Sequence, residues 1–107
     1  MALKNELKVL TTTAQTLVSY EHQALRIINI VFYNPTASAT SFDLTLTDKT
    51  GTKITLRKGK SLGASTEDVI NYMIVLEKGD KLEAVASAAN NINVLVNYEP
   101  YNGSPGL

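Results

Sequence analysis

The sequence predicts an all-β chain: a single-domain antiparallel β-sandwich, jelly-roll-like, of about eight short strands. Two observations predict it. Short runs rich in Val, Ile, Thr and Tyr are separated by Asn, Gly, Pro and Ser, and helical periodicity is scarce. The 107 residues include no cysteine. The fold must therefore stand on its apolar core, and a chain of this length buries roughly two thirds of its unfolded surface without disulfides or thiolate metal sites.

Taken in order, residues 1–7 are expected as an N-terminal arm or a short helix, with charges too frequent for a secretion signal. Strands are predicted near Lys8 to Thr13 and Thr16 to Tyr20. The next, Leu25 to Tyr33, carries Leu25, Ile27, Ile28, Ile30, Val31 and Phe32 and leaves neither face polar. One face should meet the core and the other a cover, from the N-terminal segment or from a neighbouring subunit, which makes Ile28, Ile30 and Phe32 interface candidates. Pro35 to Ser41 reads as a loop, and strands follow at Ser41 to Thr47 and Lys53 to Arg57. Between these two, Asp48-Lys49-Thr50-Gly51 predicts a type I turn with Gly51 left-handed, pairing Asp48 with Thr52, Leu46 with Ile54, Leu44 with Leu56 and Asp43 with Arg57.

A longer loop is expected over Lys58 to Thr66, then strands at Val69 to Leu76, Lys81 to Ala88 and Ile92 to Tyr98. The last two are expected to form a hairpin through Asn91, with Ala88 opposite Ile92, Ala86 opposite Val94, Ala84 opposite Val96 and Leu82 opposite Tyr98 on one apolar inner face. That register leaves Val85 opposite Leu95 on the outer face, either as singly exposed apolar residues or as a subunit contact. Residues 99–107 read as an extended Pro/Gly-rich tail in which Tyr101 is the freest aromatic.

Chemistry is sparse. His22 is the one histidine, and its nearest acid, Glu21, would point to the opposite side of an extended segment, so His22 reads as a turn residue. No phosphate-cradling Gly-rich loop, Ser-centred elbow or His-Glu helical motif is present. Asp80 after Gly79 is expected to accept backbone hydrogen bonds within its own turn. The expectation is of no enzyme, with no catalytic, cofactor-binding or metal-binding residues. Ten basic and ten acidic residues cancel, so no global field favours nucleic acid or an anionic membrane. The longest apolar window, Ala24 to Tyr33, contains Arg26 and Asn29 and falls far short of the ~20 residues a spanning helix needs.

Ile27-Ile28-Asn29-Ile30-Val31-Phe32-Tyr33-Asn34, the Thr/Ala/Ser loop after it and Phe42 to Asp48 resemble small virion proteins of tailed bacteriophages. Ile74 to Ala84, Ala86 to Ala89 and Val94 to Tyr98 are similar to the last strands of such decoration, head-tail or tail-associated proteins. The resemblance covers roughly Thr16 to Glu99 and is one of pattern, without a chemical signature. It implies a homo-oligomer, a trimer or a ring, made in the host bacterial cytoplasm and attached in the virion to the major capsid protein, a collar or a tail. It carries over no catalytic residue. The expected function is a non-enzymatic virion structural protein, decoration or cement first. The alternative is a receptor- or glycan-binding module of a tail or fibre, using Pro35 to Ser41, Lys58 to Thr66 and Tyr101.

Overall fold

Nine antiparallel strands make up a computed structural model that describes residues 3–19, 24–89 and 91–101. They are β1 (Lys4–Val9), β2 (Gln15–Ser19), β3 (Leu25–Tyr33), β4 (Thr40–Thr47), β5 (Lys53–Leu62), β6 (Glu67–Ile70), β7 (Ile74–Leu76), β8 (Lys81–Ala86) and β9 (Asn93–Pro100). One sheet has the order β1-β9-β3-β6, with β7 also on β3, and the other has the order β2-β8-β4-β5. Among the described residues there is no helix.

The pairings are nested. β4 pairs β5, β3 pairs β6 and β7, β2 pairs β8, and β1 pairs β9. The chain is thus one long antiparallel ribbon whose tip is the turn after Thr47. It is rolled up so that β9 also meets β3 and β8 also meets β4. With β6 and β7 counted as one interrupted strand, this is the eight-strand winding of a jelly roll. The interruption is Asn71 to Met73, three residues facing the Ile28 and Asn29 step of β3, where Ile30 pairs Ile70 and Ile27 pairs Ile74.

Between the sheets lies one core. Ile27, Ile30, Phe32, Leu44, Leu76, Leu82, Ile92, Val94 and Val96 are buried, and the rings of Phe32 and Phe42 stack across it with centroids 4.2 Å apart. Removing such side chains from water contributes about 2 kcal/mol each, the main favourable term in a fold without covalent staples.

Several expectations change. β8 and β9 lie in different sheets, so they are not a hairpin, and the chain passes from one sheet to the other between Ala86 and Asn93. Leu82, Ala84, Ala86, Ile92, Val94 and Val96 are nonetheless buried, because period-two alternation sets the inward face whichever strand is the neighbour. Val85 is opposite Asp43 and Leu95 is between Leu7 and Val31, so the expected Val85–Leu95 pair does not exist. Residues 4–7 belong to β1 rather than to an arm or a helix, and Glu99 and Pro100 end β9 rather than opening a tail. β5 continues to Leu62, taking half of the loop expected over Lys58 to Thr66.

The turn at the ribbon tip matches its sequence. The Asp48 N–H donates to the Thr52 carbonyl at 2.9 Å, Gly51 has φ of 90°, and Leu46 pairs Ile54. Beyond it the expected register fails: Leu44 pairs Arg57, not Leu56, because β5 bulges there and again before Lys60. At the second bulge Gly59 has φ of 53° and its N–H donates to Asp43 Oδ1 at 2.6 Å. That bond fixes the bulge through a carboxylate the plain register had set against Arg57. Arg57 turns inward instead and bonds Asp68 of β6 at 2.9 Å, joining the two sheets along one open side.

Asp48 also anchors the turn through its side chain, accepting from Thr50 Oγ1 at 2.6 Å, Thr50 N at 2.9 Å and Thr52 N at 3.0 Å. The Thr50 hydroxyl bond, aided by the backbone N–H groups, holds its pKa below the usual carboxylate value. A depressed folded pKa contributes stability above the unfolded value, and that stability is lost as pH falls through the folded one. The gap in urea midpoint between wild type and Asp48→Asn is therefore expected to be full at pH 7 and to narrow below about pH 4. A gap that widens on acidification would contradict this.

Candidate functional site

The two outer faces of the sandwich differ in chemistry. On β9, Val94 and Val96 point into the core, so Leu95 points out, and the same alternation on β3 and β6 turns out Val31 and Val69. On β1 it is Leu7 and Val9 that point out. Register then places Leu7, Leu95, Val31 and Val69 directly side by side, one each from β1, β9, β3 and β6. With strands about 4.8 Å apart this row is about 14 Å long. Leu7 is 72% exposed and Val69 40%, while Leu95 and Val31 are half-buried between their neighbours.

Neutral residues flank the row on both sides. One neighbouring row is Asn5, Asn97 and Asn29, in which Asn97 Nδ2 donates to Asn29 Oδ1 at 2.7 Å. The other is Val9, Asn93, Tyr33 and, at the corner, Glu67. Farther along, Arg26 and Glu99 neutralise one another as a hydrogen-bonded ion pair. The opposite sheet presents Asp43, Lys53, Lys81 and Glu83 among threonines, with Lys81 and Glu83 3.5 Å apart. One face is built for water and the other is depleted of charge, as the centres of protein interfaces are.

The interface candidates scatter on this frame. Leu95 sits at the centre of the apolar row. Ile28 is the bulged residue of β3, between Ile27, which pairs Tyr98, and Asn29, which pairs Asn97. That bulge explains why β3 looked apolar on both faces: it shifts the alternation, so Ile27, Ile30 and Phe32 all face inward. Ile30 and Phe32 are fully buried and offer no surface; the outward residue beside them is Val31. Val85 is half-buried on the charged sheet, on the far side of the molecule from Leu95.

Tyr101 is held rather than free. Its N–H donates to the Ala24 carbonyl at 2.8 Å and its ring lies 5.8 Å from the Arg26 guanidinium. It therefore sits beyond the start of β3, whereas residues 34–39 follow its end, about 30 Å away at strand rise. The two candidate loops do converge with each other: Asn34 Nδ2 donates to the carbonyls of Ser38, Leu62 and Gly63 at 2.7, 3.1 and 3.1 Å. The composite of both loops with Tyr101 is not assembled. His22 lies outside the described residues. Asp80 Oδ2 accepts the Glu77 N–H at 2.9 Å, the turn role expected of it.

On the open side beside β1 and β2 is a cleft of about 420 Å³ lined by Lys4, Glu6, Lys8, Thr16, Ser19 and Tyr98. The inward face of β1 is thus charged, while its outward face carries Leu7 and Val9 beside the uncharged Asn5, the inverse of an ordinary sandwich strand. This signal is legible in the sequence as Leu3, Leu7 and Val9 alternating with Lys4, Glu6 and Lys8. Among the described residues, no cluster of three or more His, Asp or Glu side chains is placed to hold a metal, and no helix is long and apolar enough to cross a membrane.

Fold and face together define a small jelly-roll domain with one charge-depleted side. The sequence matches no protein-family model and no curated protein. Among solved structures it is similar to a chain in the structure of infectious bursal disease virus Gt strain, with a TM-score of 0.46 and 16% identity, over 99% of this chain and 33% of that one. The chain spans about a third of the length of that neighbour.

Proposed function

We propose that the protein is a non-enzymatic structural component of a bacteriophage virion, which self-associates and docks on the capsid, collar or tail, most simply as a decoration or cement protein. The observation that carries this reading is the uncharged outer face with its apolar row across four strands. A jelly roll of this size needs no such row to fold, and exposing it to water is unfavourable unless something covers it. The sequence resemblance to virion proteins of tailed phages supplies the setting, and fold alone supplies no function. The hydrogen-bonded carboxylates among the described residues serve structure: Asp43, Asp48 and Asp80 hold turns or a bulge, and Asp68 and Glu99 pair with Arg57 and Arg26.

The test is to add purified protein to particles that lack it and to assay co-sedimentation. Saturable binding with a fixed number of copies per particle is expected. A protein that neither binds particles nor is found in them would remove this reading. The second reading, a glycan- or receptor-binding module, draws on the convergence of residues 34–39 with 63–66 around Asn34. It requires glycan binding that is lost on loop substitution.

A further inference from the structure

We infer that the outer face of the β1-β9-β3-β6 sheet is the seat of a second copy of this chain, packed face to face about a two-fold axis lying in the plane of contact. The inference rests on the self-associating role proposed above and names its surface and partner. Three observations select a second copy and this geometry.

The first is charge. A surface that meets its own copy places like on like, so a charged face repels itself unless its signs are arranged to compensate. The β2-β8-β4-β5 face carries Asp43, Lys53, Lys81 and Glu83 and would have to satisfy them. Among the described residues, the outward cation of the β1-β9-β3-β6 face, Arg26, is already paired with Glu99, and Glu67 stands at a corner. Its remaining outward residues, Asn5, Asn29, Asn93, Asn97, Tyr33 and the apolar row, are neutral and meet themselves without charge repulsion, the amides being able to donate and accept across the contact.

The second is the state of the sheet edges, the other route by which β-proteins associate. β1 and β5 are guarded in the ways edge strands are: β1 points Lys4, Glu6 and Lys8 inward, and β5 carries Lys53, Lys58 and Lys60 with two bulges. At the other two edges β2 has a register break and β6 is four residues long. None offers a long flat ladder for another strand, so association by edge addition is disfavoured and the face remains.

The third is fit. A two-fold axis along the apolar row lays Leu7, Leu95, Val31 and Val69 each on its own counterpart. An axis along the strands lays Leu7 on Val69 and Leu95 on Val31. Either way apolar meets apolar at the centre and amides meet neutral residues around it. Strands of six, eight, nine and four residues, about 4.8 Å apart, make a plane of about 430 Å². Two copies would then cover about 860 Å² in plan, below the roughly 1,000 Å² of a stable specific interface and in the range of weak, transient ones. The pair should therefore be reversible and concentration-dependent in solution, and firmer where a particle holds many copies side by side.

Analytical ultracentrifugation from about 1 µM to about 1 mM reads this directly. Wild type is expected to pass from monomer to dimer within the range. The double variant Leu7→Lys/Val69→Lys changes exposed side chains that folding does not need, and should weaken dimerisation at least tenfold. Val85→Lys, on the other sheet, should leave it unchanged, and circular dichroism melts of all three check that the fold is intact. Wild type that stays monomeric throughout overturns the inference, leaving the face to the chain's own termini or to a different virion protein. Dimerisation that Val85→Lys weakens as much as the double variant also overturns it. Particle co-sedimentation separates the two proposals: a monomer that still occupies particles defeats this inference alone, and a dimer through this face that never enters particles defeats the virion role alone.

Discussion

Asn34→Ala is expected to destabilise the protein by about 3 kcal/mol, more than any other single polar substitution outside the glycines. Asn34 is fully buried at the end of β3. Its amide nitrogen serves three carbonyls, of Ser38, Leu62 and Gly63, and its Oδ1 accepts from the Thr36 N–H at 2.9 Å and the Thr36 hydroxyl at 2.7 Å. Its backbone N–H donates to the Thr66 carbonyl at 3.0 Å. One side chain thus ties the β3–β4 loop to the β5–β6 turn. Alanine would take the side-chain donor from the Leu62 carbonyl, one of the donors from the Ser38 and Gly63 carbonyls, which keep the Thr36 hydroxyl and Thr66, and the acceptor from Thr36, at about 1–3 kcal/mol for each buried group left unpaired. Urea unfolding should show a midpoint shift with an unchanged slope, and the melting temperature should fall by about 10–20 °C. Asn34→Asp is the sharper control, because it keeps the acceptor for Thr36 but turns a carboxylate oxygen toward three carbonyls. It should be at least as damaging at pH 7 and less so where the acid is protonated and can donate. A loss below about 1 kcal/mol for alanine would show that the two loops hold their shape without the side chain.

Gly79→Ala is expected to destabilise by about 3 kcal/mol or more, against about 1 kcal/mol for Gly51→Ala. The two glycines are a matched pair in conformation, with φ of 91° and 90°. They differ in surroundings. A Cβ on Gly51 meets nothing within 4 Å, whereas one on Gly79 would lie 2.3 Å from Lys49 Cβ and 3.0 Å from its Cα. The β7–β8 turn packs directly on the ribbon tip, and because the obstacle is Cα and Cβ rather than the far end of a side chain, a whole turn must move. Chemical denaturation of the two variants side by side isolates packing from backbone strain. Equal losses would mean that the tip yields freely.

Local patterns were readable where neighbours in sequence are neighbours in space. Asp48 to Thr52 was one such case, since its carboxylate, glycine and flanking strands act within five residues. The expected β8–β9 hairpin is absent because alternation says which side of a strand is apolar and nothing about which strand lies beside it. Ala84, Ala86, Val94 and Val96 are therefore in the core as expected, while their partners differ. The bulge at Ile28 hid the outward row: it moves Ile30 and Phe32 to the inner face and leaves Val31 outside, and bulge positions depend on contacts with β9 and β7 that the local sequence does not encode. Leu7 is legible but is masked by its lysine and glutamate neighbours, which point to an arm or a short helix. Val69 had no signal of its own; its place beside Val31 comes from a pairing between distant strands.

The nested order of pairing also bears on how the chain reaches its fold. Lys4 and Tyr98 pair across almost the entire sequence, and closing so long a loop unaided is slow. If the tip at Asp48 to Thr52 closes first, β3 finds β6 across a far shorter gap, and each later pair inherits the closure made by the one inside it. The ribbon can then assemble as a zipper, from its middle toward its ends. On such a route, weakening the tip slows folding, whereas weakening β1 against β9 mainly speeds unfolding. The last strand to arrive, β1, is also the one that brings Leu7 to the apolar row, so the outer face becomes complete only when the rest of the molecule has formed. A chain that assembles in this order completes its apolar outer row last, which shortens the time in which unfinished copies expose it.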